Sequence, residues 1–258
     1  EGEIDYYVPL DLQGIDLDAF HLNVRYGNEP IAWDKIQAVN SYDASNTDYY
    51  RPIFHHTPQW GWMNDPNGMF YDEQNGLWHL YYQHNPYAST WQNMTWGHST
   101  SKDLLHWEHQ PYALEVDANG AIFSGSCVVD KNNTAGFGEN AVVAFYTTAA
   151  ESQNQSMAYS LDGGQTFTKY PGNPIMVDEI PDFRDPKVWW NEQTNEWNMA
   201  LACGQEMRFY GSTNLKNWTF LSAFGEGVGS HGGVWECPDL MRVPLRGTNE
   251  YKWVLLCN

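Results

Sequence analysis

The chain has 258 residues, with 32 Asp and Glu against 13 Lys and Arg and a formal net charge of −19. Such acidity argues against nucleic acid or an anionic membrane as a partner and favours a neutral substrate. There is no run of about 18 apolar residues, so no membrane span is expected; aromatics reach 16% of the chain, a supply of rings suited to stacking on sugars or to a β-rich core.

Residues 1–50 differ from the rest. Short strands are expected at 6–10, 20–24 and 33–39, followed by a polar linker at 40–50 rich in Ser, Asp, Asn and Thr. This stretch carries no acid cluster and reads as the remnant of an N-terminal accessory β domain. From Arg51 onward, short apolar or aromatic runs alternate with turn signals, the pattern of an all-β fold. Strands are expected at 69–71, 78–83, 95–99, 127–129, 141–146, 156–159, 187–190, 197–202, 208–210 and 252–257, with turns at Glu73-Gln74-Asn75-Gly76 and Asp162-Gly163-Gly164.

A repeat runs through this region. Ser101-Lys102-Asp103-Leu104-Leu105-His106-Trp107 resembles Ser212-Thr213-Asn214-Leu215-Lys216-Asn217-Trp218, and Ser160-Leu161-Asp162-Gly163-Gly164-Gln165-Thr166-Phe167 is a looser copy between them. The closing aromatics Trp107, Phe167 and Trp218 are 60 and 51 residues apart, the length that four strands and their turns need in a propeller blade.

A second periodicity carries chemistry. Asp65 sits in Trp62-Met63-Asn64-Asp65-Pro66-Asn67-Gly68, Ser124 in Phe123-Ser124-Gly125-Ser126, Asp185 in Phe183-Arg184-Asp185-Pro186 and Glu236 in Trp235-Glu236-Cys237-Pro238. The successive spacings are 59, 61 and 51 residues. Equivalent positions of successive blades face one central channel, so Asp65, Asp185 and Glu236 are expected to converge at its mouth. Each has a plain alternative: a turn Asp, a paired Arg–Asp and a strand-end Glu. Their common register favours convergence.

Two convergent carboxyls of unequal proton affinity are the minimum for hydrolysing a glycosidic bond. Asn64, Asn67 and backbone donors are expected to hold Asp65 ionised, and Trp235 and Cys237 to give Glu236 an apolar setting that keeps it protonated. Asp185 beside Arg184 is a candidate for binding sugar hydroxyls.

In this order the four motifs resemble the signatures of glycoside hydrolase family 32, the group of invertases, inulinases and levanases. The resemblance runs from about Arg51 to the end, and residues 51–170 look most similar to fructan hydrolases of the Bacteroides type. It implies a five-bladed β-propeller, of which about three and a half blades would lie in residues 51–258, with the remaining blades and a C-terminal β-sandwich in the parent protein. It implies a retaining hydrolase of β-fructofuranosidic bonds in levan, inulin or sucrose, acting without metal or other cofactor and placed outside the cell, in the periplasm or at the cell surface. The resemblance makes Asp65 the nucleophile, Glu236 the acid/base and Asp185 the transition-state stabiliser. It places Asn64, Gln83, Trp91, Phe123, Ser124 and Arg184 around the fructosyl unit.

Other readings use the same residues. A fructosyltransferase would differ in whether a sugar or water intercepts the intermediate. An arabinan-type hydrolase shares the propeller and three acids, but the Asn-Asp-Pro-Asn and Glu-Cys contexts speak against it; a non-catalytic sugar binder would have lost an acid, and all three are present. His55-His56 and His106-x-x-His109 lack a convincing ligand set and are expected to be strand residues. Cys127, Cys203, Cys237 and Cys257 are too scattered for a scaffold and are expected to be buried thiols. Asn93, Asn132, Asn154 and Asn217 open glycosylation sequons, a pattern that chance also produces in an Asn-rich chain.

Overall fold

The computed structural model describes residues 25–26, 29–30, 51–52 and 54–258. The strands expected at 6–10, 20–24 and 33–39, the linker at 40–50 and hence the accessory domain lie outside the described residues. A short pairing joins β1 (Arg25–Tyr26) to β2 (Glu29–Pro30).

The remainder is all β. The first four-stranded antiparallel sheet holds β3 (Trp62–Asp72), β4 (Leu77–Asn85), β5 (Thr95–Ser101) and β6 (Trp107–Leu114). The second holds β7 (Ala121–Asp130), β8 (Ala141–Ala149), β9 (Gln153–Ser160) and β10 (Thr168–Lys169). The third holds β11 (Phe183–Asn191), β12 (Glu196–Cys203), β13 (Glu206–Ser212) and β14 (Thr219–Phe224), and β15 (Asp239–Pro244) pairs with β16 (Tyr251–Leu256). Within each sheet the strands follow chain order, and β7 packs against both β3 and β11. These are three blades of a propeller and the first half of a fourth, as a five-bladed ring requires of this stretch.

The core lies between blades. β8 shows why Ala141 to Tyr146 reads as a continuous apolar run. Val143 and Phe145 join a cluster with Val188, Met199 and Leu201 of the third blade, whereas Ala144 and Tyr146 join one with Tyr81 and Trp96 of the first. Successive side chains of a strand point to opposite faces, so a sheet sandwiched between two others is apolar on both.

The repeat is the turn between the third and fourth strands of each blade. Ser101 Oγ accepts the N–H of Leu104 while Asp103 Oδ1 accepts those of Leu105 and His106. Ser212 and Asn214 do the same for Leu215, Lys216 and Asn217. In the middle copy Ser160 serves Gly164, and Asp162 serves Gln165 and Thr166. The fourth position is left-handed every time, Leu104 at φ 65°, Gly163 at 76° and Leu215 at 63°. The side-chain acceptors fix the turn strongly enough that two of the three copies tolerate a leucine there.

The outer strands β6, β10 and β14 were not expected from the sequence. β14 is exposed throughout and β6 runs Glu108-His109-Gln110-Pro111, so neither shows the apolar alternation that marks a strand. The fourth blade's first strand starts at Asp239, leaving Glu236 in the irregular segment before it. Contrary to expectation, His55, His56 and His106 lie outside strands. His56 Nε2 and His109 Nδ1 instead meet Ser99 Oγ from either side, at 2.9 and 3.1 Å. The four cysteines are unbridged; Cys203 is buried, Cys127 and Cys237 are half-buried and Cys257 is exposed, against the expectation that all are buried.

Candidate active site

All three inner strands break register near their N-terminal ends, between Met63 and Pro66, Ile122 and Gly125, and Arg184 and Lys187. A β-bulge of this kind re-aims the side chains it contains. Those side chains are Asn64 and Asp65, Phe123 and Ser124, and Asp185 with Pro186. Asp185 adds a left-handed backbone, φ 65°, which turns its carboxyl to the same side as Arg184. Gly125 lies flat on the neighbouring strand, where a Cβ would run into the carbonyl oxygen of Phe145.

The bulges bring residues from three sheets together with the segment that leads into the fourth. Ser124 Oγ donates to Asp65 Oδ2 at 2.6 Å, and the Cys237 thiol approaches the same oxygen at 3.6 Å. The Cys237 backbone N–H donates to Asp185 Oδ2 at 2.9 Å. Arg184 reaches one oxygen of Glu236, Oε1, from both Nε at 3.2 Å and Nη2 at 2.9 Å. Its Nη1 donates to Asp182 Oδ1 at 2.5 Å and to Gln153 Oε1 at 3.2 Å. Asp65, Asp185 and Glu236 are therefore neighbours, linked through Cys237 and Arg184.

The local chemistry departs from the sequence reading at two points. Glu236 is not in an apolar pocket: its side chain is 47% exposed and is held by Arg184. Asn64 and Asn67 do not hold the Asp65 carboxylate. Asn64 Oδ1 accepts the Trp62 indole N–H, and Asn67 bonds the backbone oxygen of Asp65 and the N–H of Gly125. The group displaced toward its protonated form is Asp185, 6% exposed, whose carboxyl is pushed up to about 6. Burial is the main cause, and the Asp65 and Glu236 carboxylates add to it; the Cys237 N–H and Arg184 oppose it. Burial, and then the two aspartates, push the Cys237 thiol up as well.

Of the expected binding residues, Phe123 and Trp91 meet edge to face with centroids 5.8 Å apart, and Trp91 is 53% exposed. Both line a cleft of about 440 Å³ whose far wall is the hairpin Ala149-Ala150-Glu151-Ser152-Gln153. Gln83 is buried behind the site, its amide nitrogen donating to the Ile122 carbonyl at 2.9 Å and so joining the first blade to the second. Sequence reasoning missed Asp182, Gln153 and the positioning part of Cys237. Asp182 had a weak signal, an acid two residues before Arg184, although it sits in the turn that leads into β11 rather than on the strand. Gln153 had none, because its partner is 31 residues away.

Residues 55–258 match the model of the glycosyl hydrolases family 32 N-terminal domain. A levanase of Bacillus subtilis is 53% identical over 225 residues, covering 83% of this chain and 33% of its own length. An extracellular exo-inulinase of Meyerozyma guilliermondii is 50% identical over 222 residues, covering 81% of this chain and 43% of its own length. Among solved structures, the fructofuranosidase from Schwanniomyces occidentalis complexed with fructose superposes with a TM-score of 0.77 at 47% identity, over 80% of this chain and 42% of that one. The chain thus spans between 33% and 43% of the length of these relatives. The matched model covers the whole propeller segment with its four acid and serine motifs, and the chain belongs to glycoside hydrolase family 32.

Proposed function

We propose that the full-length protein hydrolyses β-fructofuranosidic bonds, in fructans or sucrose, with retention of configuration. The observation that carries this reading is the meeting of Asp65, Asp185 and Glu236 around Arg184 and Cys237, each acid from a different blade. The names of the similar proteins, a levanase, an exo-inulinase and a fructofuranosidase bound to fructose, support the fructosyl class.

In this reading Asp65 is the nucleophile. Ser124 and Cys237 both address Oδ2, which directs Oδ1 to the anomeric carbon. Glu236 is the acid: Arg184 engages Oε1 twice, leaving Oε2 to deliver its proton to the departing sugar oxygen. As the C–O bond to the leaving sugar breaks, the bond from Asp65 to the anomeric carbon forms. Water then attacks this fructosyl ester, gives its proton to Glu236 and restores both carboxyls. Asp185 accepts fructose hydroxyls, and Trp91 and Phe123 form an apolar wall for the ring, with Asn64 at its edge and Gln83 buried behind it. We place the protein outside the cell, as the relative named extracellular suggests.

The test is a product profile of the full-length protein on sucrose, inulin and levan, with NMR of the first-formed sugar. Free fructose of retained configuration is expected. An inverted anomer at early times overturns the mechanism, and fructosylated sugars as the main product at high sucrose would make the protein a transferase.

A further inference from the structure

The Arg184 guanidinium has two occupied edges. One, Nε and Nη2, holds Glu236; the other, Nη1, holds Asp182, with Gln153 beside it. Asp185 Oδ2 is a further 4.0 Å from Nε. One cation therefore faces three carboxylates, and the Asp65 carboxylate lies behind them, bound to Ser124 and Cys237. Arg184 is only 12% exposed, so this imbalance is weakly screened.

An arginine held on Glu236 alone would stabilise the carboxylate and work against a proton donor. Asp182 counters this in two ways. It takes up part of the guanidinium charge at 2.5 Å, and its own negative charge disfavours a second one close by. It is also held in place for this task. Its backbone is left-handed, φ 58°, and its carbonyl accepts the N–H of Gly204 in the turn between β12 and β13.

We infer that Asp182 is a positioning residue of the reaction, which keeps Glu236 able to carry a proton by sharing Arg184 with it. This inference rests on the functional reading above, in which Glu236 is the acid. Asp182 lies on the far side of the guanidinium from Glu236, so its effect passes through charge rather than contact.

The experiment compares the full-length wild type with Asp182→Asn and Asp182→Gly, both uncharged and both compatible with the left-handed backbone. With sucrose, whose leaving group needs a proton, the falling alkaline limb of kcat/KM should move to lower pH by about half to one unit in both variants. Above the limb that is a loss of about three- to tenfold. With β-fructofuranosyl fluoride, whose leaving group needs little protonation, the same variants should keep their activity within about twofold. Gln153→Ala removes the neutral acceptor from the same nitrogen and should leave the limb in place. An unmoved limb in the Asp182 variants, an equal loss on both substrates or the same displacement in Gln153→Ala overturns the inference. Glu236→Gln separates the two levels. If the limb persists in that variant, Glu236 is not the acid and the functional reading falls. If it vanishes while the Asp182 variants stay unmoved, only the part given to Asp182 falls.

Discussion

The backbone N–H of Cys237 donates to Oδ2 of Asp185 at 2.9 Å, and through this bond the segment leading into the fourth blade grips the buried acid of the third. The bond offsets only part of the cost of burying a carboxylate, since the Asp185 carboxyl is still displaced upward from 3.8 to about 6. Below pH 3.8 both folded and unfolded chains are protonated there, and the stabilising contribution is complete. As pH rises through about 6 the folded protein must ionise a group that the unfolded chain ionises more readily, and the contribution is lost, about 2–3 kcal/mol in all. Asp185→Asn in the full-length protein should melt close to the wild type at pH 4 and several degrees above it at pH 8, while losing turnover. Equal differences at both pH values would show that the carboxyl is not the source.

Asp65→Asn or Glu236→Gln should each lower turnover on sucrose or inulin by several orders of magnitude and leave the fold intact, because each removes one of the two groups that a retaining mechanism needs. Circular dichroism and melting temperature check the fold. A variant that keeps more than a tenth of wild-type activity removes its residue from the assigned role.

Ser124→Ala deletes the 2.6 Å bond to Asp65 Oδ2 and leaves the Cys237 thiol as the donor on that oxygen. A hydrogen bond to a charged group contributes about 1.5–3 kcal/mol, so kcat/KM should fall about 10- to 100-fold. The loss should persist with β-fructofuranosyl fluoride, because it lies in the nucleophile rather than in protonation. Full activity on the fluoride would move Ser124 out of the nucleophile's support.

His79 and His98 form a buried pair between β4 and β5, with Nδ1 and Nε2 3.0 Å apart. Burial lowers both, His98 to about 3 with His79 adding to the effect; Asp72 and Asp162 oppose the shift at His79. The unfolded chain takes up protons near pH 6.5 while the folded pair resists them, so this contribution to stability is full above pH 6.5 and drains as pH falls toward about 3. Replacing the pair together, His79→Phe with His98→Leu, should flatten the decline in unfolding free energy between pH 6.5 and 4, as measured by denaturant titration. An unchanged slope would assign the acid sensitivity elsewhere.

The parts of the site legible in the sequence were those written into a local motif at a regular interval. The Asp65, Ser124, Asp185 and Glu236 motifs announced both the blades and the meeting point, because turn and bulge chemistry must recur wherever the geometry recurs. The strands β4, β8 and β12 were legible for a different reason: they are largely buried and carry continuous apolar runs, Leu80–Tyr82, Ala141–Tyr146 and Met199–Cys203. The outer strands β6 and β14 were not, since solvent tolerates almost any side chain there. The surroundings of Glu236 were misjudged from neighbours in sequence. Trp235 says nothing about where Glu236 points, and the partner that matters, Arg184, is 52 residues away.

No sheet in the described residues carries two of the three acids. Their spacing is therefore set the way clearances are set in a row of stacked machine parts, by the summed thickness of what lies between them. A methyl group added at Ala144, wedged between the first and second blades, touches none of the acids and yet would move Asp65 relative to Asp185. Improving such a site, or damaging it, can begin in the packing between blades.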